Sequence, residues 1–104
     1  MALRAKSTEE ITVSSSAIGV TASLLVSSDG LTTGVVMGSF QHASGGDIHI
    51  NPINDPVAGD GDDMKKIARD IWEVWGFDDL QNFQMIKQTG ASDAKVVVHL
   101  FGEG

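Results

Sequence analysis

Apolar and polar residues alternate most regularly in residues 18–26, where apolar side chains occupy every second position and glycine, threonine and serine fill most positions between them. The apolar positions of this stretch are Ile18, Val20, Ala22, Leu24 and Val26. A period of two with this composition is typical of a β-strand with one buried face. Ile11 and Val13 alternate in the other register, ahead of "SSS" at positions 14–16. The change of register indicates a bulge or turn between two short strands.

Turn-forming and β-prone stretches then follow one another as far as residue 51. "SSDG" at 27–30 predicts a turn, and "LTTGVVMGSF" at 31–40 predicts a strand that two glycines weaken. "HASGG" at 42–46 predicts a loop. "DIHIN" at 47–51 alternates again, which predicts a strand with Ile48 and Ile50 facing inward. The predicted outward positions are Asp47, His49 and Asn51.

The stretch "DIWEVWGFDDLQNFQMIK" at residues 70–87 holds both tryptophans and fits two interpretations. In the first, residues 64–75 form an amphipathic helix with Asp62 or Asp63 as N-cap and Gly76 after its last turn. In the second, "IWEVW" is a strand, "FDDLQNF" is a helical turn, and "QMIKQ", "TGASD" and "AKVVVHLF" are a strand, a turn and the closing strand. The long predicted loop "NPINDPVAGDGDD" comes before it, and the β-prone segments on both sides favour the second interpretation.

The predicted elements define an all-β fold, a small single-domain β-sandwich or barrel with one short helix. The 104 residues suffice for one modest core, and 12 glycines suit a fold with many tight turns. Residues 1–10 are polar and unpatterned, so we expect a flexible N-terminal arm there. Residues 11–104 then form the single β-domain.

Charge and cysteine content exclude several classes of function. The net charge of −7 argues against binding to nucleic acid and to anionic membranes, because both need clustered lysine and arginine. With no cysteine, the chain cannot form disulfides, use a thiol nucleophile or bind zinc through thiolates. The absence of disulfides favours an intracellular origin or support from an assembly. Neither a signal peptide nor an apolar run of membrane-spanning length is predicted.

Two groups of side chains invite a metal-site interpretation. His42, Asp47 and His49 are close in sequence, but their spacing matches no zinc motif, and the polar face of an amphipathic strand is the favoured explanation. The predicted long loop also contains four aspartates, at Asp55, Asp60, Asp62 and Asp63. They lack the glycine and glutamate positions of an EF-hand, which favours a solvated acidic loop. We therefore predict no metal and no cofactor.

No catalytic motif is present either, so the chain is predicted not to be an enzyme. There is no G-x-S-x-G nucleophile motif, and "SGGD" lacks the lysine of a phosphate-binding loop. Asp78 and Asp79 are adjacent in a predicted turn, where acidic residues commonly serve a helix N-terminus. Trp72 and Trp75 are candidates for a ligand platform or an interface anchor, and also for core packing.

Four further stretches stand out together: "ITVSSSAIGVTAS", "NDPVAGDGDD", "DIWEVWG" and "DDLQNFQMIKQTGASDAKVVVHLF". Over roughly residues 11–101, their pattern resembles small virion proteins of tailed bacteriophages. "MKKIARD" departs from the pattern. The resemblance implies a non-enzymatic β-sandwich or barrel that decorates and stabilises the outer shell as a cement protein, often as a trimer. The same group also supplies head–tail connectors and tail components.

On this basis we expect a homotrimer that binds the major capsid protein in a virion assembled in the host cytoplasm. The candidate interface residues are Leu3, Ile11, Trp72 and Trp75. A Ca²⁺- or carbohydrate-dependent binding module that uses the acidic loop or an exposed tryptophan is the alternative from another class. A metalloenzyme built on His42, Asp47 and His49 is the third and weakest.

Overall fold

A computed structural model of the chain describes residues 3–21, 24–25, 35–51 and 64–103. Within these ranges it contains seven strands and one short helix. The strands are β1 (Leu3–Val13), β2 (Met37–Ser44), β3 (Ile48–Asn51), β4 (Met64–Lys66), β5 (Ile71–Trp75), β6 (Gln84–Lys87) and β7 (Ala94–Glu103), and the helix is α1 (Phe77–Asn82).

The strands form two antiparallel sheets. One sheet has four strands in the order β1-β7-β2-β5, and the other has three strands in the order β4-β3-β6. Two sheets and one short helix in a small domain confirm the predicted all-β class. The arrangement is that of a small sandwich, because both sheets contribute to the same core.

Alternating side chains of the central strands build that core. Val96, Val98 and Leu100 of β7 are fully buried, as expected for every second residue of a strand with one covered face. Ile48 and Ile50 of β3 face them from the other sheet in the same buried cluster. Three aromatic rings complete the cluster, with Phe40 between Trp72 at 5.5 Å and Phe83 at 4.8 Å between ring centroids.

The strand predicted at residues 18–26 is wrong for the part that the structure describes. Ile18 makes a single bridge to Met85, through two hydrogen bonds of 2.8 and 2.9 Å, and no strand continues from it through residue 21. Leu24 and Leu25 lie in a helical turn, while Ala22 and Val26 fall outside the described residues. The alternation instead reflects partial packing, since Val20 and Leu24 pack against the core without a ladder of backbone hydrogen bonds.

The flexible arm predicted for residues 1–10 is replaced by strand from Leu3 onward. β1 pairs with β7 from Leu3 opposite Glu103 to Val13 opposite Ala94. The strand could not be predicted from an apolar–polar alternation, because most side chains of residues 4–10 are exposed. The backbone partner β7 therefore determines this strand.

Two further boundaries differ from the prediction. β2 begins at Met37, and residues 31–34 of the strand predicted at 31–40 lie outside the described residues. β2 continues through Ser44, so only residues 45–46 of the loop predicted at 42–46 remain outside a strand. The strand over 48–51 is confirmed, but His49 is buried rather than outward. β3 is the middle strand of its sheet, and Lys65 and Ile86 flank His49 on either side.

The β interpretation of residues 70–87 is confirmed, and the helix over residues 64–75 is excluded. A turn separates β4 from β5, and the Asp70 side chain closes it by accepting the Ile67 N–H at 2.9 Å. Arg69 adopts a positive φ of 75°, which a helix cannot accommodate. β5, α1, β6 and β7 then follow as predicted. Apart from Asn51, the predicted long loop at residues 51–63 lies outside the described residues.

Candidate protein-binding groove along β5

β5 is an edge strand of the four-stranded sheet. Its described neighbour is β2, on one side only. At the two ends of β5, His42 N–H donates to Asp70 C=O at 2.9 Å and Gly76 N–H donates to Val36 C=O at 2.7 Å. Backbone groups of a strand alternate between its two sides, so even-numbered residues of β5 face β2. The backbone groups of residues 71, 73 and 75 therefore face the outer edge.

The same odd-numbered positions carry exposed side chains. Ile71 is 67% exposed and Trp75 is 55% exposed, so both leave large apolar surfaces in contact with solvent. Glu73 lies between them, and its carboxylate accepts the indole N–H of Trp75 at 3.1 Å. This hydrogen bond holds the indole along the strand. The outer face of β5 therefore presents an apolar, an acidic and a second apolar side chain in line.

A cavity of about 390 Å³ runs beside this strand. Its lining comprises the consecutive residues Trp72, Glu73, Val74 and Trp75, together with Ile50, Lys66, Asp79 and Phe83. Consecutive residues of a strand point to opposite faces, so a cavity that touches all four must lie along the edge of β5. Its volume falls within the range of roughly 300–1,000 Å³ for ligand pockets. We call this cavity, with the outer edge of β5, the β5 groove.

The inner wall of the β5 groove is fixed by aromatic packing. The Trp72 ring stacks on Phe40 with an interplanar angle of 7°, and the Lys66 ammonium lies 5.5 Å from the Trp72 ring centroid. The two contacts combine aromatic stacking with a cation–π interaction. They anchor the ring between the core and the groove.

The other edge of the sheet is built differently. β1 carries the exposed charged residues Arg4, Lys6 and Glu10, and its register shifts between Ala5 and Ser7. Charges and bulges are the usual means by which edge strands avoid pairing with other chains. β5 keeps an unbroken register against β2 and exposes Ile71 and Trp75. Of the two edges, β5 is the one suited to accept a partner.

The β5 region is acidic. Residues 69–79 contain one arginine and four acidic residues, so their net charge is −3. Asp78 and Asp79 are exposed in the first turn of α1, where negative charge stabilises a helix, and neither caps it through a side-chain hydrogen bond. Lys66 is the one cationic side chain in the groove lining that the structure describes.

The structure separates the four candidate interface residues. Trp75 is exposed, whereas Ile11 and Trp72 are in the core at 3% and 9% exposure. Leu3 pairs with Glu103 at the end of β1. Ile71, Glu73 and Lys66 were missed by sequence reasoning. A signal for the first two was present in "IWEVW", because the glutamate shares its face with the first isoleucine and the last tryptophan.

The proposed metal residues do not converge on a site. His42 is fully buried with Nε2 2.6 Å from the Gly46 carbonyl oxygen, and Asp47 forms an ion pair with Lys65 at 3.2 Å. Within the described ranges, no group of three or more His, Cys, Asp or Glu side chains is arranged to hold a metal. The four loop aspartates, Asp55, Asp60, Asp62 and Asp63, lie outside the described residues.

No family model, curated protein or solved structure matches the chain. Among the described residues, no helix has the length and apolar character needed to cross a membrane. Function must therefore be inferred from the β5 groove itself.

Proposed function

We propose that the chain is a non-enzymatic structural protein that attaches to a protein surface through the β5 groove. The observation that supports this most directly is the pair of apolar side chains, Ile71 and Trp75, exposed on an edge strand that has no strand neighbour on its outer side within the described residues. Exposed apolar surface that adjoins a cavity is typical of an interaction site, and tryptophan is enriched among the residues that dominate binding energy.

The binding energy available from these two side chains is substantial. A tryptophan buries up to about 250 Å² and contributes roughly 25 cal/mol per Å². Covering the exposed 55% of Trp75 is therefore worth about 3 kcal/mol. Ile71, at 67% exposure, offers a contribution of similar size. The two anchors lie on either side of the acidic Glu73, so the site combines apolar contact with a central charge.

The assembly that we propose is the outer shell of a tailed-bacteriophage particle, with the chain as its decoration or cement protein. The resemblance of residues 11–101 to small virion proteins supports this choice. A homotrimer on the threefold positions of the shell fits the same role, because three grooves would engage the major capsid protein together. Simultaneous engagement raises the overall affinity well above that of one groove.

Quantitative mass spectrometry of purified particles from the source of the chain tests this proposal. A copy number close to that of the major shell protein supports decoration of the shell. A small multiple of three or six contradicts it and indicates a neck or tail component. Complete absence from the particles contradicts any role in the virion.

A further inference from the structure

We infer that the β5 groove binds its partner by strand addition, and that the added segment carries a basic residue between two apolar ones. This rests on the proposed function, because it specifies the partner chemistry of the same site. The segment would pair with the outward backbone groups of residues 71, 73 and 75. Its side chains on one face would meet Ile71, Glu73 and Trp75.

Backbone geometry favours strand addition over packing against one face. The β5 groove touches four consecutive residues of β5, so an occupant meets both faces of the strand at once. An extended segment does this naturally, since its own side chains alternate in the same way. One set lies over the outer face with Trp75, and the other set enters the 390 Å³ cavity towards Phe83.

Charge complementarity defines the segment. Residues directly opposite each other on antiparallel strands share a face and interact as pairs. Ile71 and Trp75 therefore favour apolar partners, while Glu73 between them favours lysine or arginine. The net charge of −3 over residues 69–79 adds to the preference for a basic segment.

The same reasoning disfavours a second copy of this chain as the occupant. Glu73 is the central residue of β5, so symmetric antiparallel pairing in full register would place it opposite the same glutamate of the other copy. Like charges at the centre of the pairing oppose association, which leaves a basic and apolar segment of another protein as the partner.

The test uses a capped seven-residue peptide, Thr-Val-Thr-Lys-Thr-Val-Thr, which presents valine, lysine and valine on one face of an extended strand, and a control peptide with glutamate in place of the lysine. Nuclear magnetic resonance of the full chain measures hydrogen exchange at the amides of residues 71, 73 and 75. We expect the lysine peptide to slow exchange at these three amides and the glutamate peptide to leave them unchanged. Equal protection by both peptides, or binding without protection, would overturn the inference.

Three variants at one position separate backbone pairing from charge. Glu73→Pro removes an amide that faces away from β2, so it leaves the bonds to β2 intact. Glu73→Ala is its matched control, since it loses the charge and keeps the amide. We expect Glu73→Pro to bind the lysine peptide about tenfold more weakly than Glu73→Ala, and Glu73→Lys to prefer the glutamate peptide. Equal binding by the proline and alanine variants would refute strand addition.

A second measurement covers the case in which Glu73→Pro fails to fold. The lysine peptide N-methylated at its lysine and its two valines, whose amides face β5 in the proposed pairing, retains its charge but cannot donate backbone hydrogen bonds from those positions. It should therefore lose binding to the unmodified chain. Undiminished binding would again refute the inference. A dimer of the chain alone that disappears in Trp75→Ala would also overturn it, in favour of a second copy.

Failure of this inference and failure of the proposed function are distinguishable. If the peptide protects the three amides but the chain is absent from particles, the inference stands and the virion role fails. If the chain is abundant in particles and Glu73→Pro attaches as well as Glu73→Ala, the role stands and strand addition fails.

Discussion

The two tryptophans of β5 should respond to alanine substitution in opposite ways. Trp72 is 9% exposed and stacked on Phe40, whereas Trp75 is 55% exposed on the other face of the strand. Trp72→Ala therefore removes core packing, and Trp75→Ala removes surface that we assign to binding. Because the two residues have the same type and lie on the same strand, each variant is the control for the other.

The expected magnitudes differ enough to be measured. Truncating a core tryptophan costs roughly 3–5 kcal/mol, and the lost ring stacking adds about 1 kcal/mol. A domain of this size has a total stability of about 5–15 kcal/mol, so Trp72→Ala brings the chain close to unfolding. Trp75→Ala leaves no buried cavity and should cost about 1 kcal/mol. It should weaken attachment by about 3 kcal/mol, which is roughly a 100-fold increase in Kd.

Urea denaturation gives the stabilities, and cosedimentation with purified particles gives the Kd values. We expect Trp75→Ala to unfold at nearly the same urea concentration as the wild type and to cosediment poorly with particles. If Trp75→Ala loses as much stability as Trp72→Ala, the ring belongs to the core and the β5 groove is misassigned. If it sediments like the wild type, the ring is exposed but takes no part in binding.

Three further predictions concern the backbone, and all are read from urea midpoints. Gly76 has a φ of 98° with open space around its Cβ position, so Gly76→Ala should lose about 1–2 kcal/mol through conformational strain alone; an unchanged midpoint would contradict the positive φ. A Cβ on Gly19 would lie 2.5 Å from the carbonyl oxygen of Phe83. Gly19→Ala should therefore displace the bridge between Ile18 and Met85 and cost about 1–3 kcal/mol of unfolding free energy. An unchanged midpoint would mean that the backbone near Gly19 shifts at no cost. Asp70→Ala removes the side-chain acceptor that closes the turn before β5 and should cost about 1 kcal/mol of unfolding free energy. Asp70→Asn keeps an acceptor oxygen and should cost less. Equal losses would show that this hydrogen bond does not stabilise the turn.

Local signals predicted the second half of the fold because turn-forming residues mark where each element there begins or ends. Gly76 ends β5, "TGASD" precedes β7, and the alternation in "AKVVVHLF" matches the buried face of β7. Residues 18–26 show the limit of the same method. Alternation reports which side chains are buried, but it does not report whether the backbone has a neighbouring strand to bond with.

The candidate site could be predicted only in part, for a related reason. Trp75 is recognisable as an interface candidate from its residue type, and its exposure follows from sharing a face with Glu73. That β5 lies at an edge depends on the strand order β1-β7-β2-β5, which is a property of the whole sheet. No local pattern carries that order, so the groove could not be predicted from the sequence.

The position of β7 has a consequence for how the chain folds. β7 follows the other strands in sequence but lies between β1 and β2, and its pairing with β1 joins Leu3 to Glu103. On the ribosome, the four-stranded sheet therefore cannot close until β7 has emerged, because β1 and β2 have no contact surface in that sheet without it. Such distant pairings fold slowly, typically in milliseconds to seconds. A nascent chain that stops before β7 is expected to hold its apolar residues exposed, and release of the complete strand is the step that commits the domain to its fold.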